Sequence, residues 1–461
     1  MENVTFKLQP EDKRPLYEQL YRYMIEEIEA GRLKNGEKLP SKRALCAHLH
    51  ISQSTVETAY GMLTAEGYLL AKPKSGYYVS ADLQRPIGRA DLAEGQSAPP
   101  QKIAPRYDFS TGAVDTGVFP YASWARLSRE VVSGNPGLLQ RGEAQGDMLF
   151  RQALCEFLRE YRGVRCQPDQ IVVGAGLEYL LNVLVQILPE TSVFGLEDPG
   201  YYAAWQVLRN HGRACRMIPL DGSGLREDIL RESGATVAFV TPSHQFPMGC
   251  TMPVSRRASL LSWAEESDDR FIVEDDYDSE FRYASRPIPA MQSLDDGGKV
   301  IYVGTFSRSI APSIRVAYLV LPRRLLPVYE QRLGFAASTV SRFEQQTLAA
   351  FLQRGLYSRH LRRAANLYRK KQQALLTELA KIPGATVRGA EAGLHFLLTV
   401  PGKSEEWLVA QAAKAGVPVR GLSSYCKECA CLESTLVLGF AGLNPEEIPA
   451  AAATLREAFE R

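Results

Sequence analysis

The sequence predicts two structural units: a small helical domain that ends in a β-hairpin, and a large α/β domain with a mostly parallel sheet. Two observations support this prediction. Amphipathic helical segments fill most of the first 80 residues, and short apolar segments typical of strands alternate with helical segments from Tyr107 onward. The length agrees, because 461 residues exceed what a single hydrophobic core usually holds.

The composition is that of a soluble globular protein, with 45% hydrophobic and 23% charged residues. Lysine and arginine together number 54 against 52 aspartates and glutamates, so a basic surface for nucleic acid would have to be local. No apolar run is long enough to span a bilayer, and Met1–Val4 lacks the start of a secretion leader. These features predict a cytoplasmic protein without a membrane partner.

Helix start and stop signals recur through the first 80 residues. Pro15 precedes the first amphipathic segment and Gly31 follows it, while Ser41 and Ser52 are good N-caps for the next two. The predicted elements are helices at 16–28, at 42–48 and from Ser52 to about Glu66, followed by strands at 67–71 and 76–79. A helix-turn-helix followed by a hairpin is a winged helix-turn-helix.

This region resembles the GntR-type DNA-binding domain. The resemblance rests on Pro15-Leu16-Tyr17, Gly36-Glu37-Lys38-Leu39-Pro40-Ser41-Lys42-Arg43, Ser52-Gln53-Ser54-Thr55-Val56, Ala59-Tyr60 and Glu66-Gly67-Tyr68. It implies that residues 52–58 enter the major groove of double-stranded DNA, with arginine and lysine side chains on phosphates. Many relatives carry arginine in place of Gln53, and glutamine can pair with adenine rather than guanine. The predicted DNA-binding residues are Lys42, Arg43, Ser52, Gln53, Ser54, Thr55, Lys72 and Lys74.

Residues 81–106 are rich in proline, glycine, alanine, glutamine and serine and show no sustained periodicity. Such a composition cannot bury enough apolar surface to fold alone. We therefore predict a flexible linker between a DNA-binding domain of residues 1–80 and a large domain of residues 107–461.

The large domain is predicted from apolar strands that alternate with helical segments. The strands are at 171–173, 193–194, 237–240, 271–273 and 300–303, and the helices include 149–161, 179–188 and 258–266. This alternation is typical of a mostly parallel sheet, in which ligands bind at the carboxyl ends of the strands.

Chemically suggestive residues follow several of these strands. After the last strand, a turn with the hydroxyls of Thr305 and Ser307 leads to Arg315, and such a turn with its backbone N–H groups could hold a phosphate. Gly176 and Leu177 begin a helix whose first N–H groups could face an anion.

Two further strand ends carry side chains suited to a flat heterocycle. Asp275 ends an apolar strand, where a buried carboxylate is costly unless it is paired. Tyr201 follows another strand and offers a ring for stacking. We interpret the lone His244 as structural, and Asp276, Asp278 and Glu280 as surface or structural carboxylates.

Together these stretches resemble the cofactor site of fold-type I aminotransferases, which hold pyridoxal phosphate (PLP). The resemblance implies helices on both faces of the sheet and a small C-terminal α/β subdomain. It places Asp275 on the pyridinium nitrogen, Tyr277 near the phenolic oxygen, and Thr305, Ser307 and Arg315 on the phosphate.

Further motifs extend the likeness over most of residues 107–455. They are Phe119-Pro120, His360-Leu361-Arg362-Arg363 and Gly393-Leu394-His395. A GntR-type domain joined to such a body resembles the MocR/GabR group of bacterial transcription regulators. That resemblance implies a head-to-tail homodimer whose large domain senses a small effector, either PLP or a PLP–amino acid adduct.

The chain departs from the family where the lysine that carries PLP as a Schiff base should stand, because this position is Arg308. A guanidinium stays protonated and is a poor nucleophile near neutral pH, so the tether and the base for transamination are both missing. Arg141 stands near the place of a tyrosine that reaches the partner's cofactor phosphate. Residues 435–440 lack the usual arginine for a substrate carboxylate; Arg420 could replace it, although we interpret Arg420 as a surface charge.

Three functions remain open: a regulator that senses PLP or its adduct non-covalently, a regulator that senses another anionic metabolite, and an aminotransferase with a DNA-binding appendage. Arg308 argues against the third, so we predict a protein that is not an enzyme. The predicted cofactor-binding residues are Gly176, Leu177, Tyr201, Asp275, Tyr277, Thr305, Ser307, Arg308, Arg315 and Arg141. We predict no catalytic residue.

We predict no metal ligand either, and the eight cysteines are mostly scattered on apolar stretches. The exception is Cys426, Cys429 and Cys431, whose close thiols could bind a metal or form a redox pair. No second Cys/His pair at the spacing of a zinc finger accompanies them, which argues against a metal.

Overall fold

The computed structural model describes residues 14–80, 105–283, 288–429 and 432–460. The chain divides into two compact units, residues 1–103 and 104–461. The predicted linker at 81–106 lies almost entirely outside the described residues. Within the described part of the chain, no helix is long and apolar enough to cross a membrane.

The N-terminal unit is a winged helix-turn-helix, as predicted. Its elements are α1 (Leu16–Glu29), α2 (Lys42–Leu49), α3 (Gln53–Ala65), β1 (Leu69–Lys72) and β2 (Gly76–Val79). The Ser41 hydroxyl accepts the N–H of Ala44 at 3.2 Å and the Ser52 hydroxyl accepts that of Thr55 at 3.2 Å, so both serines cap their helices. His50 in the left-handed conformation ends α2. One apolar core, which includes Leu20, Met24, Leu45, Val56 and Leu63, joins the three helices.

The second unit is built on an eight-stranded sheet in the order β3-β10-β9-β8-β7-β4-β5-β6. Its strands are β3 (Ile171–Gly174), β4 (Val193–Asp198), β5 (Ala214–Asp221), β6 (Gly224–Leu225), β7 (Val237–Val240), β8 (Phe271–Asp276), β9 (Val300–Thr305) and β10 (Ala317–Val320). The five central strands, β9 to β5, run parallel, whereas β10 and β6 are antiparallel to their neighbours. The predicted mostly parallel sheet is confirmed.

Apolar side chains cover both faces of this sheet. Consecutive residues of a strand lie in different buried clusters, as the alternation of side chains along a strand requires. One cluster contains Val172, Phe239 and Val273, whereas their strand neighbours Val173, Val240 and Ile272 belong to two other clusters. The surrounding helices are α4 (Tyr121–Gly134), α5 (Met148–Arg162), α6 (Leu177–Ile187), α7 (Tyr202–Asn210), α8 (Glu227–Glu232), α9 (Val254–Glu265), α10 (Leu326–Leu333) and α11 (Arg342–Gln353).

The C-terminal part forms its own smaller layer. A four-stranded antiparallel sheet in the order β11-β12-β14-β13 packs with helices through a single apolar cluster. The strands are β11 (Thr386–Arg388), β12 (His395–Thr399), β13 (Arg420–Gly421) and β14 (Thr435–Gly439), and the helices are α12 (Leu356–Leu379), α13 (Glu405–Lys414) and α14 (Ile448–Glu460). This is the small α/β subdomain that the resemblance implied.

Candidate functional site

A cavity of about 400 Å³ opens at the carboxyl ends of the parallel strands. Of the ten predicted cofactor-binding residues, the structure brings nine to its wall, namely Gly176, Leu177, Tyr201, Asp275, Tyr277, Thr305, Ser307, Arg308 and Arg315. Another cavity, of about 490 Å³, is lined by Val300 at the amino end of β9 and by Val320, so it opens at the opposite edge of the sheet. Position relative to the strands therefore favours the first cavity as the ligand site.

One part of the cavity wall, the cradle, combines two hydroxyls with an arginine. The Thr305 hydroxyl accepts the N–H of Ser307 at 3.1 Å and lies 3.0 Å from the Ser307 hydroxyl, which holds both hydroxyls on one turn. Arg315 donates to the Ala175 carbonyl at 3.0 Å and to Glu178 at 3.1 Å. These bonds hold the guanidinium at the start of α6, where the first N–H groups have no partner within the helix.

Gly176 is required by this arrangement. Its φ of +97° is rarely adopted by L residues, and a Cβ there would lie 2.5 Å from the Arg315 guanidinium. Any larger residue would therefore push the arginine out of the cradle.

Asp275 provides a buried acid at another part of the wall. Its side chain belongs to β8, and the residue is 6% exposed. Burial, and then the charges of Asp276 and Asp278, raise the pKa of Asp275 to about 8, although Arg308 opposes the rise. A carboxyl group of this kind can share a proton with a basic ring nitrogen, which would relieve the cost of its burial.

Replacing Asp275 by asparagine is expected to raise the melting temperature increasingly from about pH 4 to about pH 8. Across this window the unfolded chain ionises Asp275 while the folded chain keeps it protonated, so the wild type loses stability as pH rises. At pH 8 the variant should melt higher by about 2 °C or more. Scanning fluorimetry across this range tests the prediction, and a difference that does not change with pH would contradict it.

Tyr277 is oriented by a buried histidine that the sequence analysis left as structural. The Tyr277 hydroxyl lies 3.1 Å from Nδ1 of His244, which in turn lies 3.0 Å from the Asp278 carboxylate. Since the carboxylate only accepts, Nδ1 carries the proton, which it can share between Asp278 and the Tyr277 oxygen. Tyr277 then keeps its own proton for another acceptor. His244 is 1% exposed and does not line the cavity, so any effect on a ligand would pass through its neighbours such as Tyr277.

Asp276, Asp278 and Glu280 are structural rather than surface carboxylates. Asp276 forms a buried ion pair with Arg162 at 2.7 Å, and Asp278 is 2% exposed. Glu280 is half-buried, and the burial of its carboxyl group raises its pKa to about 8.

Arg308 is one of the residues that line the cavity. It lines the wall together with Asp275 and Tyr277. Its Nη1 atom is buried and has no hydrogen-bond partner among the described residues. A buried guanidinium N–H without an acceptor is costly, so Arg308 has unused hydrogen-bonding capacity beside the cavity.

Arg141 is the one predicted residue that does not reach the cavity of its own chain. It is exposed and donates to the Phe335 carbonyl. A role at a partner's site stays a prediction.

Sequence reasoning missed two aromatic residues of the cavity wall, Phe246 and Tyr425. Phe246 contacts Tyr201, Tyr277 and Tyr425 at ring-centroid distances of 6.1, 6.0 and 5.2 Å. Phe246 lies in the loop of His244, from which the sequence analysis took only that histidine, and no strand-end pattern marks Tyr425. Arg420 is exposed, as interpreted, and yet it also lines the cavity.

The cysteine cluster lies close to Asp198. The Asp198 carboxylate accepts backbone N–H groups from Lys427, Glu428 and Cys429 at 2.8, 2.8 and 2.9 Å, which anchors this loop. Atoms of Asp198, Cys426 and Cys429 approach within 4.8 Å of one another, but Cys426 is disulfide-bonded and the carboxylate is already engaged. Cys431 lies outside the described residues.

The predicted DNA-binding residues lie on α2, on the start of α3 and on the hairpin. Glu57 holds two of them, since its carboxylate lies 3.3 Å from Lys42 Nζ and 3.2 Å from Gln53 Nε2. Lys72 lies over the Tyr78 ring, 4.6 Å from its centroid. Arg43, Ser52, Gln53, Ser54, Lys72 and Lys74 are exposed, whereas Thr55 is half-buried. Their contacts with DNA stay predictions.

Comparisons with known proteins match these two units. Residues 16–79 match the family of bacterial regulatory proteins called gntR, and residues 107–455 match aminotransferase class I and II. The HTH-type transcriptional regulator YhdI of Bacillus subtilis is 38% identical over 97% of this chain and 96% of its own. A Rhizobium meliloti relative named "probable rhizopine catabolism regulatory protein MocR" is 33% identical over 96% of this chain and 94% of its own.

A solved structure agrees with the large domain. LysN, the α-aminoadipate aminotransferase of Thermus thermophilus in complex with N-(5'-phosphopyridoxyl)-L-leucine, is 26% identical, with a TM-score of 0.67 over 76% of this chain and 91% of its own. The chain therefore belongs to the family of bacterial HTH-type transcriptional regulators in which a gntR-family domain precedes an aminotransferase class I and II domain.

Proposed function

We propose that the protein regulates transcription by binding double-stranded DNA through its N-terminal unit, in response to PLP or a PLP–amino acid adduct held non-covalently by its large domain. A regulator of this kind acts where the chromosome is, which for a bacterium is the cytoplasm. The family supports the DNA-binding half of the proposal, and the cavity supports the effector half.

The residues of the cavity fit such a ligand. Asp275 would face the ring nitrogen, Tyr277 the ring oxygen, and Arg315 with the Thr305 and Ser307 hydroxyls the phosphate. The fit is supported by Gly176, whose missing Cβ leaves room for Arg315, and by the raised pKa of Asp275. When bound, PLP supplies an electrophilic aldehyde on an electron-withdrawing ring.

Arg308 is the observation that carries the regulatory proposal. A site with the phosphate cradle, the acid of Asp275 and the phenol of Tyr277 can bind and orient a ligand. With arginine in place of the lysine, however, it has no amine at this position to hold the ligand covalently. Reversible binding of this kind suits an effector better than a resident catalyst. The relatives named as regulators favour the same conclusion.

A second candidate is a regulator that senses a different anionic metabolite. Arg308, Arg315 and Arg420 all line the cavity, and three guanidinium groups would suit an effector with more than one carboxylate or phosphate. The acid and phenol suited to a pyridine ring favour PLP over such a ligand.

We also propose a head-to-tail homodimer. The exposed Arg141 lies outside the cavity of its own chain, so a contact with a phosphate would require the cavity of a second subunit. Size measurement by light scattering tests the dimer.

Titration with PLP followed by borohydride reduction tests the proposal. The wild type should bind PLP, leave no reduced adduct at position 308, and lose the ligand on dialysis. It should show no transaminase turnover, and its affinity for its promoter DNA should change when PLP is added. The variant R308K should regain a reducible adduct, whereas R388K, which alters an exposed arginine of β11, should not. A stable reduced adduct or amino-donor turnover in the wild type would refute the proposal.

A further inference from the structure

Arg308 lies in the cavity with unmet hydrogen-bonding capacity. Its buried Nη1 has no partner among the described residues, although Asp275, Tyr201 and Tyr277 line the same wall. Arg308 and Asp275 are near enough for the arginine charge to oppose the rise in the pKa of Asp275. No ion pair joins them within the described part of the chain. Neither group is therefore committed to the other, and both border the space of one ligand.

The charge of Arg308 limits which ligand groups can lie beside it. A guanidinium only donates hydrogen bonds and keeps its positive charge at any physiological pH. The ligand group beside it must therefore accept hydrogen bonds, as an aldehyde oxygen or a carboxylate does. An aminomethyl group is protonated near neutral pH, so it carries only donors and a like charge, which a buried guanidinium repels.

In PLP and its amine form, the acceptor and the aminomethyl group occupy the same position of the ring. If the ring nitrogen faces Asp275, the resemblance would place the carbon across the ring, which carries the aldehyde of PLP, toward Arg308, the residue at the position of the family lysine. A lysine at this place would discriminate between aldehyde and amine by forming a bond with the aldehyde. An arginine can discriminate only by hydrogen bonding and charge.

We propose that Arg308 makes the cavity selective for pyridine phosphates that carry a hydrogen-bond acceptor at the 4-position, an aldehyde or a carboxylate, against the aminomethyl form. This inference rests on the proposed function. It adds that the protein reports the oxidation level of the 4-substituent, since the amine form binds poorly even though its ring and phosphate are the same.

Calorimetric titration with three probes tests the inference. The probes are PLP, 4-pyridoxic acid 5'-phosphate and pyridoxamine phosphate, each added to the full-length wild type near neutral pH. PLP and the 4-carboxylate should each bind about tenfold or more tightly than pyridoxamine phosphate, because only they give Arg308 a charge-assisted acceptor. Equal or tighter binding of pyridoxamine phosphate would overturn the inference without touching the proposed function. Failure of all three probes to bind would overturn both.

Two variants separate Arg308 from the rest of the cavity. R308Q removes the charge, and the preference for the acceptor-bearing probes should fall to about threefold or less. R315Q acts at the phosphate end, so it should weaken all three probes while leaving their ranking unchanged. A melting curve of each variant confirms that it is folded. A wild-type preference that survives R308Q would show that another group selects the ligand, and would overturn the role of Arg308.

Discussion

Replacing Arg162 by methionine is expected to lower the free energy of unfolding of the large domain by about 3–5 kcal/mol. Arg162 is 3% exposed, and it donates to Asp276 at 2.7 and 3.3 Å and to the Ser243 hydroxyl at 2.7 Å. Although burial opposes ionisation, Arg162 and the Tyr302 hydroxyl hold the pKa of Asp276 below its usual range. Methionine would fill the space but leave a buried carboxylate without its counter-charge.

The consequences should reach the ligand cavity. Asp276 ends β8 directly after Asp275, and Ser243 precedes His244 in the loop that orients Tyr277. Loss of the pair should therefore loosen two parts of the wall at once.

Denaturant unfolding of the variant measures the stability cost. The matched control is R165M, because Arg165 is exposed and its ion pair with Asp296 at 2.8 Å lies in solvent. That control should change stability by less than about 1 kcal/mol. Similar effects of the two substitutions would contradict the importance assigned to the buried pair. The double variant R162M/D276N should recover part of the loss, since no unpaired charge remains.

Replacing Arg43 by alanine is expected to weaken binding to operator DNA by about tenfold or more and to flatten its salt dependence. Arg43 is exposed near the start of α2, where a positive side chain can meet a phosphate. Each lost phosphate contact should reduce the slope of log K against log salt concentration by about 0.9. Fluorescence anisotropy at several salt concentrations provides both quantities.

R22A serves as the control for charge. Arg22 lies on α1, is exposed, and is already paired with Glu18 at 3.1 Å. Its removal takes away the same formal charge but should leave affinity and slope nearly unchanged. If R43A and R22A behaved alike, Arg43 would contribute only to the overall charge.

Local patterns were enough to predict much of the architecture. The serine caps of α2 and α3, the glycine at the start of α6 and the apolar runs of the central strands depend on near neighbours in the chain, so their meaning can be read residue by residue. The strand ends could be assigned to one edge of the sheet because parallel strands share their direction. That is why nine of the ten predicted cofactor-binding residues lie around one cavity.

Contacts between distant segments could not be predicted in this way. The rings of Phe246 and Tyr425 are in contact, with centroids 5.2 Å apart, although the two residues come from different parts of the chain. Likewise, Asp198 binds the cysteine loop, which lies more than 200 positions away in the sequence. Short strands such as β13 carry no periodicity, so no local pattern placed Arg420 at the cavity.

The amino-acid sequence by itself was enough to predict that a gntR-type helix-turn-helix domain precedes an aminotransferase-like domain, because residue identity and local spacing carry that information. The placement of Arg308 at the position of the family lysine stays a prediction from the resemblance. The tertiary structure alone decided that Arg308 has a buried N–H group without a partner in the described chain, that His244 and Asp278 orient Tyr277, and that Arg141 does not line the cavity of its own chain. Burial and the presence of a partner depend on how separate segments pack, and no single segment encodes them.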